Sequence, residues 1–416
     1  MPRLKGVIFS LRDVVVKQGN LNQELFNELE KLIKWLQKVE LTPIFVGNSM
    51  WQVNNSDGTK ISFKDYITSK WGDFHWFIAQ EGSMPYKPQK AAMNHVLKEM
   101  GWETHEVVYV GNTDDDMKTA RNGGILFLNA LWHGETNEYG FQFDSPKDIA
   151  RFIDCFYIGI DDWFWALETV NLNVYALAPF STLSTKYEDA KGYSYHARNT
   201  AKSNTGDPIF WGRLLASSVY LSGLANEISY ITSYPGHSTA STTPSVNEAL
   251  SVFADCVNAK FIPDLLIRHT DAQKSQTLRA AGKSVGHKNQ IDTIHLNSKP
   301  QKNKKGEPYK APPLRKNKTV LIVDDFCTEG NSFEAARAYI TATGANVICL
   351  SWLKTINTDY KEMNPLVKID KPYEPNKLDE TITIAKHEFS NHIKNPSATS
   401  DLNSIFKKYY EWNWPA

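Results

Sequence analysis

An α/β architecture, with two doubly wound parallel-sheet domains and a short helical C-terminal tail, is what this sequence predicts. Three observations predict it. Short β-branched, apolar runs alternate with amphipathic helical patterns in both halves of the chain, as expected for parallel strands joined by crossover helices. Small-residue or acidic loops follow several of these runs, at the strand ends where open sheets bind ligands. The 416 residues exceed what a single core usually fills. The chain accordingly divides into residues 1–150, 151–360 and 361–416.

Residues 6–16, G-V-I-F-S-L-R-D-V-V-V, read as a buried strand and its exit. Leu25, Leu29, Leu32, Ile33 and Leu36 recur at helical spacing. Residues 43–46 give the next strand, closed by Gly47-Asn48-Ser49, and residues 76–79 a third. Lys87-Pro88 introduces a helix through Met93 and Leu97. Residues 107–110 form another strand, followed by Gly111-Asn112-Thr113-Asp114-Asp115-Asp116, a helix to Asn122, a Gly123-Gly124 turn and the strand 125–128.

This order resembles the haloacid dehalogenase (HAD) superfamily over roughly residues 4–150, and implies a HAD-like Rossmannoid sheet. The resemblance makes Ser49 a phosphate-contacting hydroxyl and Lys87 the family's lysine, and places magnesium-holding acids at Asp115 and Asp116. The family's Asp-x-Asp after the first strand is replaced by Ser10 and Arg12. Phosphatase chemistry of that kind needs a carboxylate nucleophile and a second carboxylate as acid and base. Arg12 keeps its proton near neutrality, and Asp13 is one position out, facing elsewhere on an extended strand exit. The expectation is a degenerate domain without phosphatase activity. Ser10, Arg12, Ser49 and Lys87 then line a pocket for a phosphorylated ligand, or the domain acts as a scaffold.

Residues 145–170 are dense in aromatics, including Phe152, Phe156, Trp163, Phe164 and Trp165, and read as core, an interdomain junction or a dimer contact. Residues 186–208 are polar and read as a solvated loop or a hood over a site. A helix over 214–224 leads to a strand over 227–232, which ends in Ser233-Tyr234-Pro235-Gly236-His237-Ser238. Residues 262–268 return to the sheet and open Arg268-His269-Thr270-Asp271-Ala272-Gln273, with Arg279 and Lys288 beyond. Between Lys299 and Lys318 lie eight basic residues, one acid and four prolines. Nucleic-acid contact is the sharper reading of that stretch; an exposed loop is favoured, because no aromatic stacking series accompanies it.

Residues 319–323, T-V-L-I-V, read as a strand buried on both faces, and Asp324-Asp325 follow it. Next comes the small loop Cys327-Thr328-Glu329-Gly330-Asn331-Ser332, then a helix with Phe333, Ala336, Tyr339 and Ile340 on one face, then a strand over 345–352. A loop feeding a helix N-terminus offers unpaired amides to a phosphate. Gly330 permits close backbone approach, and Ser332 is a candidate cap. Adjacent carboxylates suit vicinal hydroxyls or a magnesium ion rather than the phosphate itself. A helix N-terminus is also a place where the Cys327 thiol could be acidified, although an inert small residue is the expectation. Residues 386–393 and 402–410 read as helical, with Trp412 and Trp414 docked on the protein or on a partner subunit.

The 319–332 segment resembles the PRPP-binding motif of type I phosphoribosyltransferases, departing at Glu329 and, mildly, at Ser332. The 268–289 region resembles the mobile loop of ComF-like members, and the loop from Tyr234 to Ser238 occupies the place of their pyrophosphate loop. The resemblance implies that residues 327–332 hold the 5′-phosphate and that Asp324 and Asp325 hold the ribose hydroxyls. It further implies that Arg268, Arg279 and Lys288 receive pyrophosphate, and that Mg2+ bridges substrate oxygens. The expected function is transfer or release at the ribose C1 of PRPP, with the acceptor unspecified. The alternative is a PRPP or nucleotide sensor in a bacterial regulatory or anti-phage defence complex, beside a pseudo-phosphatase domain.

Lys plus Arg and Asp plus Glu are 46 each, so no global field points to nucleic acid or membranes. No eighteen-residue apolar run or signal pattern is present. Cys155, Cys256, Cys327 and Cys349 lack metal spacing. A cytoplasmic chain, acting as a homo-oligomer or with a partner protein, is the expectation.

Overall fold

The computed structural model of the chain describes residues 3–17, 21–54, 59–134, 137–158, 162–181, 185, 188–203, 205–239, 244–273, 286–302, 306–379 and 381–415. Its first sheet contains β1 (Gly6–Ser10), β2 (Thr42–Gly47), β3 (His75–Ile78), β4 (Val107–Gly111), β5 (Leu126–Ala130) and β6 (Phe141–Phe143). They lie in the order β3-β2-β1-β4-β5-β6, all parallel. β1, β4 and β5 are buried along their whole length, which explains why they read as continuous apolar runs rather than alternating ones. Helix Gln23–Lys38 turns Phe26, Leu29, Leu32, Ile33 and Leu36 onto the sheet, and Asn22 caps it.

The second sheet contains β7 (Trp165–Glu168), β8 (Asn173–Phe180), β9 (Tyr230–Ser233), β10 (Lys260–Phe261), β11 (Thr319–Cys327) and β12 (Asn346–Thr355). Their order is β10-β9-β11-β12-β8-β7, parallel except for the β7–β8 pair. β11 sits centrally, and its register puts Ser233 of β9 opposite Val323. The 233–238 loop therefore leaves the sheet beside Asp324. β11 is longer than the five apolar residues suggest. Its ladder with β12 continues past Asp324, which pairs with Ser351, to Cys327, which pairs with Lys354. Backbone pairing with an equally long neighbour carries the strand through the acids.

Residues 190–203 form a helix rather than a loop. Tyr193, Ala197 and Ala201 recur every fourth residue and are buried, and the Tyr193 hydroxyl donates to the Pro179 carbonyl at 2.9 Å. That narrow stripe is hidden in an otherwise polar composition. Residues 386–393 correct the helical expectation: Ile384–His387 is a strand antiparallel to Tyr360–Met363, followed by a 3-10 turn at Phe389–His392. Among its described residues the segment 361–416 thus holds most of this antiparallel strand pair, the 3-10 turn and the α-helix Ala398–Glu411. The 299–318 stretch is exposed at Lys299, Lys302, Lys310, Arg315 and Lys316, but Leu314 is buried and the Pro313 carbonyl accepts from Tyr230. Its base is therefore anchored rather than wholly free.

The two sheets share core. One apolar cluster runs from Phe9 and Leu36 through Phe152 and Phe156 to Phe210, Trp211, Trp352 and Tyr409. The Tyr220 hydroxyl donates to the Val107 carbonyl at 2.7 Å, and the Trp412 indole to Asp154 at 2.7 Å. The aromatic stretch after residue 145 is interior, and the tail docks on the chain itself. All four cysteines are buried and unpaired. Among the described residues no helix is long and apolar enough to cross a membrane.

Candidate functional site

A cavity of about 680 Å³ opens at the carboxyl end of β11, lined by Asp324, Asp325 and residues 327–332. Each carboxylate accepts from the next backbone amide, Asp324 from Asp325 at 2.9 Å and Asp325 from Phe326 at 3.1 Å. Asp325 also forms an ion pair with Lys202 of the helix Ala190–Ser203, so the segment predicted as a hood reaches the acids. Burial, and then the neighbouring Asp325 charge, push the Asp324 carboxyl well above the usual range.

The loop after the acids turns into helix Asn331–Thr341, whose N-cap is Gly330 rather than Ser332. Gly330 has φ of 85°, and a Cβ there would lie 2.1 Å from the ring of Tyr360. Both the left-handed backbone and the ring exclude a larger residue. Gly330→Ala is expected to lower stability by about 1–3 kcal/mol, the usual cost of forcing atoms into packed space, in urea denaturation at neutral pH. An unchanged midpoint would show that the ring yields freely.

Glu329 does not confront the loop with an unmatched charge. Its carboxylate pairs with Lys361 at 2.7 Å, and its carbonyl accepts from the Lys361 amide at 3.0 Å. Thr328 and Thr355 hydroxyls lie 3.1 Å apart. Beneath them Lys354 is fully buried and donates to the Thr328 carbonyl at 2.6 Å and the Thr358 hydroxyl at 3.0 Å. Desolvation holds its ammonium below the usual lysine range. Sequence reasoning missed Lys354, because a lysine after Trp352-Leu353 looks like a strand exit. Burial pushes the Cys327 thiol up to about 11, so no acidified thiol lies in this loop.

Of the 234–238 loop, His237 lines the cavity. Tyr234 is buried, with its hydroxyl donating to Gln290 at 2.8 Å. The Pro235 and Gly236 carbonyls turn toward Arg268, and Ser238 lies in the same turn without lining the cavity. Arg268 corrects the expectation of a cation facing the leaving group. It is buried behind the loop, and donates also to Thr293 at 2.6 Å and Gln290 at 2.9 Å. With those donors committed, it holds the loop's shape. Lys288 is a second correction: it pairs with Asp292 at 2.8 Å and donates to the Leu378 carbonyl, away from the cavity. Arg279 lies outside the described residues.

A smaller cavity, about 280 Å³, lies at the end of β1 and is lined by Arg12, Ser49, Lys87, Asp115 and Asp116. Ser10 is buried just behind it. Lys87 donates to Asp116 at 2.7 Å, Ser10 at 3.0 Å and Tyr109 at 3.2 Å. Asp116 Oδ1 also accepts from the Tyr109 hydroxyl at 3.0 Å. Its Oδ2 accepts from the Thr113 hydroxyl at 2.9 Å and from the Asn112 and Thr113 amides, both at 3.2 Å. Burial works against the Asp116 charge, yet Lys87 and these donors hold its carboxyl below the usual range. Asp115 is exposed. This donor set does not fit magnesium: the buried carboxylate is saturated, and an ammonium already neutralises it. Of the two acids expected to hold a metal, Asp116 is committed to these donors, and Asp115 stands exposed at the cavity. Among the described residues no group of three or more His, Cys, Asp or Glu side chains is arranged to hold a metal ion.

The profile of the haloacid dehalogenase-like hydrolase family matches residues 17–130. A HAD-like domain with its Rossmann-type parallel sheet is therefore supported over that part of the chain. No curated protein matches the chain. Similar solved structures include a candidate phosphoglycolate phosphatase from Lactobacillus delbrueckii subsp. bulgaricus, at 20% identity and TM-score 0.24, over 31% of this chain and 53% of that one. The chain thus spans about half of that protein's length. A HAD-superfamily hydrolase from Ehrlichia chaffeensis matches at 15% identity and TM-score 0.27, over 37% of this chain and 98% of that one. A HAD-superfamily hydrolase of subfamily IA, variant 1, from Geobacter sulfurreducens matches at 14% identity and TM-score 0.25, over 35% and 95%.

Proposed function

We propose that the second sheet carries a phosphoribosyltransferase-type site that binds PRPP with magnesium and opens the bond between ribose C1 and pyrophosphate. One observation carries this reading: Asp324, Asp325 and the 327–332 loop at a helix N-terminus line a single cavity at the end of a central parallel strand. The loop amides, with the Thr328 and Ser332 hydroxyls, suit a terminal phosphate. The carboxylates suit the ribose hydroxyls and the positive charge that grows at C1. His237 faces the cavity where the leaving group would lie, and Arg268 acts as a positioning residue for that loop. Two carboxylates, with no third His, Cys, Asp or Glu grouped with them among the described residues, suit a magnesium ion held largely by the substrate's own oxygens. The ion's contribution would be to neutralise pyrophosphate. Orientation and fixed charge, rather than a covalent intermediate, supply the rate.

Titration calorimetry of the full chain with PRPP and magnesium should give saturable heat, and pyrophosphate should be released when a suitable acceptor is present. Absence of any heat would sink the reading. Tight binding without release under any acceptor would favour a PRPP sensor instead.

We infer a second role, or lack of one, for the N-terminal pocket. The Lys87–Asp116 pair, with Ser10 where a nucleophilic carboxylate is needed, supports a domain that does not hydrolyse phosphate esters. Arg12 and Ser49 at its mouth leave it suited to holding an anion without turning it over.

A further inference from the structure

Gln290 lines the main cavity without belonging to either of its loops. It stands on the short helix His287–Ile291 and is only 7% exposed, yet it forms part of the cavity wall. Two groups meet its side-chain oxygen. The Tyr234 hydroxyl lies 2.8 Å from Oε1, and Nη2 of Arg268 lies 2.9 Å from it. A guanidinium has only hydrogens to offer, so the atom beside Arg268 is the carbonyl oxygen and the amide has one permitted orientation. Its NH2 end is thereby directed away from Arg268 and Tyr234.

Nε2 donates to nothing among the described residues, and it is not one of their polar atoms sealed from solvent without a partner. With the rest of the side chain buried, the cavity is the space left to its hydrogens. A donor held in one orientation with no acceptor is a hydrogen bond that a ligand can complete. The charge behind it selects an anion. Among the described residues Arg268 donates to one hydroxyl and three carbonyl oxygens, those of Thr293, Pro235, Gly236 and Gln290, and none of these partners is charged. Its positive charge polarises Oε1 and makes Nε2 the stronger donor. The same arginine ties Gln290 to the 233–238 turn, the side of the cavity assigned above to the leaving group.

We propose that Gln290 is a binding residue of this cavity, donating from Nε2 to a pyrophosphate oxygen, and that Arg268 acts on the ligand only through it, as a positioning residue. The contact that linear order gave to an arginine's charge passes to a neutral amide set by that arginine. This deepens the phosphoribosyltransferase reading and rests on it.

Titration calorimetry of the full chain, with magnesium and in turn PRPP, pyrophosphate and ribose 5-phosphate, supplies the test. Gln290→Glu has the same shape and keeps an oxygen for Tyr234 and Arg268, but puts an acceptor where the NH2 stood. It should weaken pyrophosphate and PRPP at least roughly tenfold, the scale of one hydrogen bond to a charged group, while ribose 5-phosphate keeps its affinity. Gln290→Met deletes the donor without adding a charge and should weaken pyrophosphate likewise. If that variant does not fold, Gln290→Asn, which withdraws the amide by one methylene, takes its place. A merely structural glutamine predicts parental binding in Gln290→Glu, because both inner hydrogen bonds survive, and that result overturns the proposal. Loss in Gln290→Glu alone, which is repulsion by a new charge, overturns it too, as does loss confined to ribose 5-phosphate. In each of these cases the parent still binds PRPP and only the assignment of Gln290 falls. A parent chain that binds none of the three ligands overturns the underlying reading and this one with it.

Discussion

Asp324→Asn is expected to reduce PRPP-dependent pyrophosphate release by at least roughly 10²-fold, the scale on which one fixed electrostatic partner of a transition state acts. The fold should survive. The two carboxylates sit side by side at the mouth of β11, and the Asp324 carboxyl is pushed well up by burial and by Asp325. A carboxyl whose folded pKa exceeds its unfolded value makes the folded state bind more protons, so the parent loses stability as pH rises above the unfolded value near 3.8. Asparagine removes that penalty. The Tm of the variant should therefore equal or exceed the parent's, with a gap that widens from acid toward neutral pH and levels off above the raised folded pKa. Thermal melts across that range, run beside the pyrophosphate assay, separate the two effects. Parental turnover in the variant would remove the carboxylate from the mechanism.

Lys87→Met should destabilise the chain by about 3–5 kcal/mol, the cost of leaving a buried charge without its partner. Lys87 and Asp116 side chains are 7% and 1% exposed and 2.7 Å apart, so solvent cannot replace the lost ammonium. The sign of the pH dependence follows from the lowered Asp116 carboxyl. Its stabilising contribution is present above the unfolded value near 3.8 and fades as pH falls through the folded one. The deficit of the variant should thus be largest near neutrality and shrink in acid. Urea denaturation at neutral and acid pH measures both. A loss of no more than about 1 kcal/mol, as for a surface pair, would mean that the N-terminal pocket is open to water. Recovery of the lost stability by added magnesium would show that a metal can take the ammonium's place, contrary to the donor saturation described above.

Much of the layout is legible from pattern alone. Buried parallel strands need apolar faces on both sides, so residues 6–10, 107–110 and 319–323 stand out as unbroken runs without any partner being known. Loops that follow them are confined to the sheet's carboxyl edge, which is why Asp324, Asp325 and residues 327–332 group as one site from linear order alone. Less came through where the signal is a narrow stripe or a tertiary pairing. Tyr193, Ala197 and Ala201 are three positions in a polar helix. The strand Ile384–His387 exists through its ladder with Tyr360–Met363, a partner more than twenty residues away that local propensity cannot see.

By itself the sequence determined two sheets built on parallel strands, the twin-acid turn, and the absence of a carboxylate at Ser10 and Arg12; the antiparallel β7–β8 edge came only with the structure. Tertiary structure alone decided where the cations go. Arg268 and Lys288, which looked available, are consumed by Thr293, Gln290, Asp292 and nearby carbonyls. Arg198 and Lys202, on a stretch that read equally as a hood or a solvated loop, line the cavity, and Lys354 supports the loop from beneath. The reason is reach. A strand's burial is written in its own residues, but a long charged side chain finds its partner across the fold, and linear order carries no record of which carboxylate or carbonyl lies within 3 Å of it.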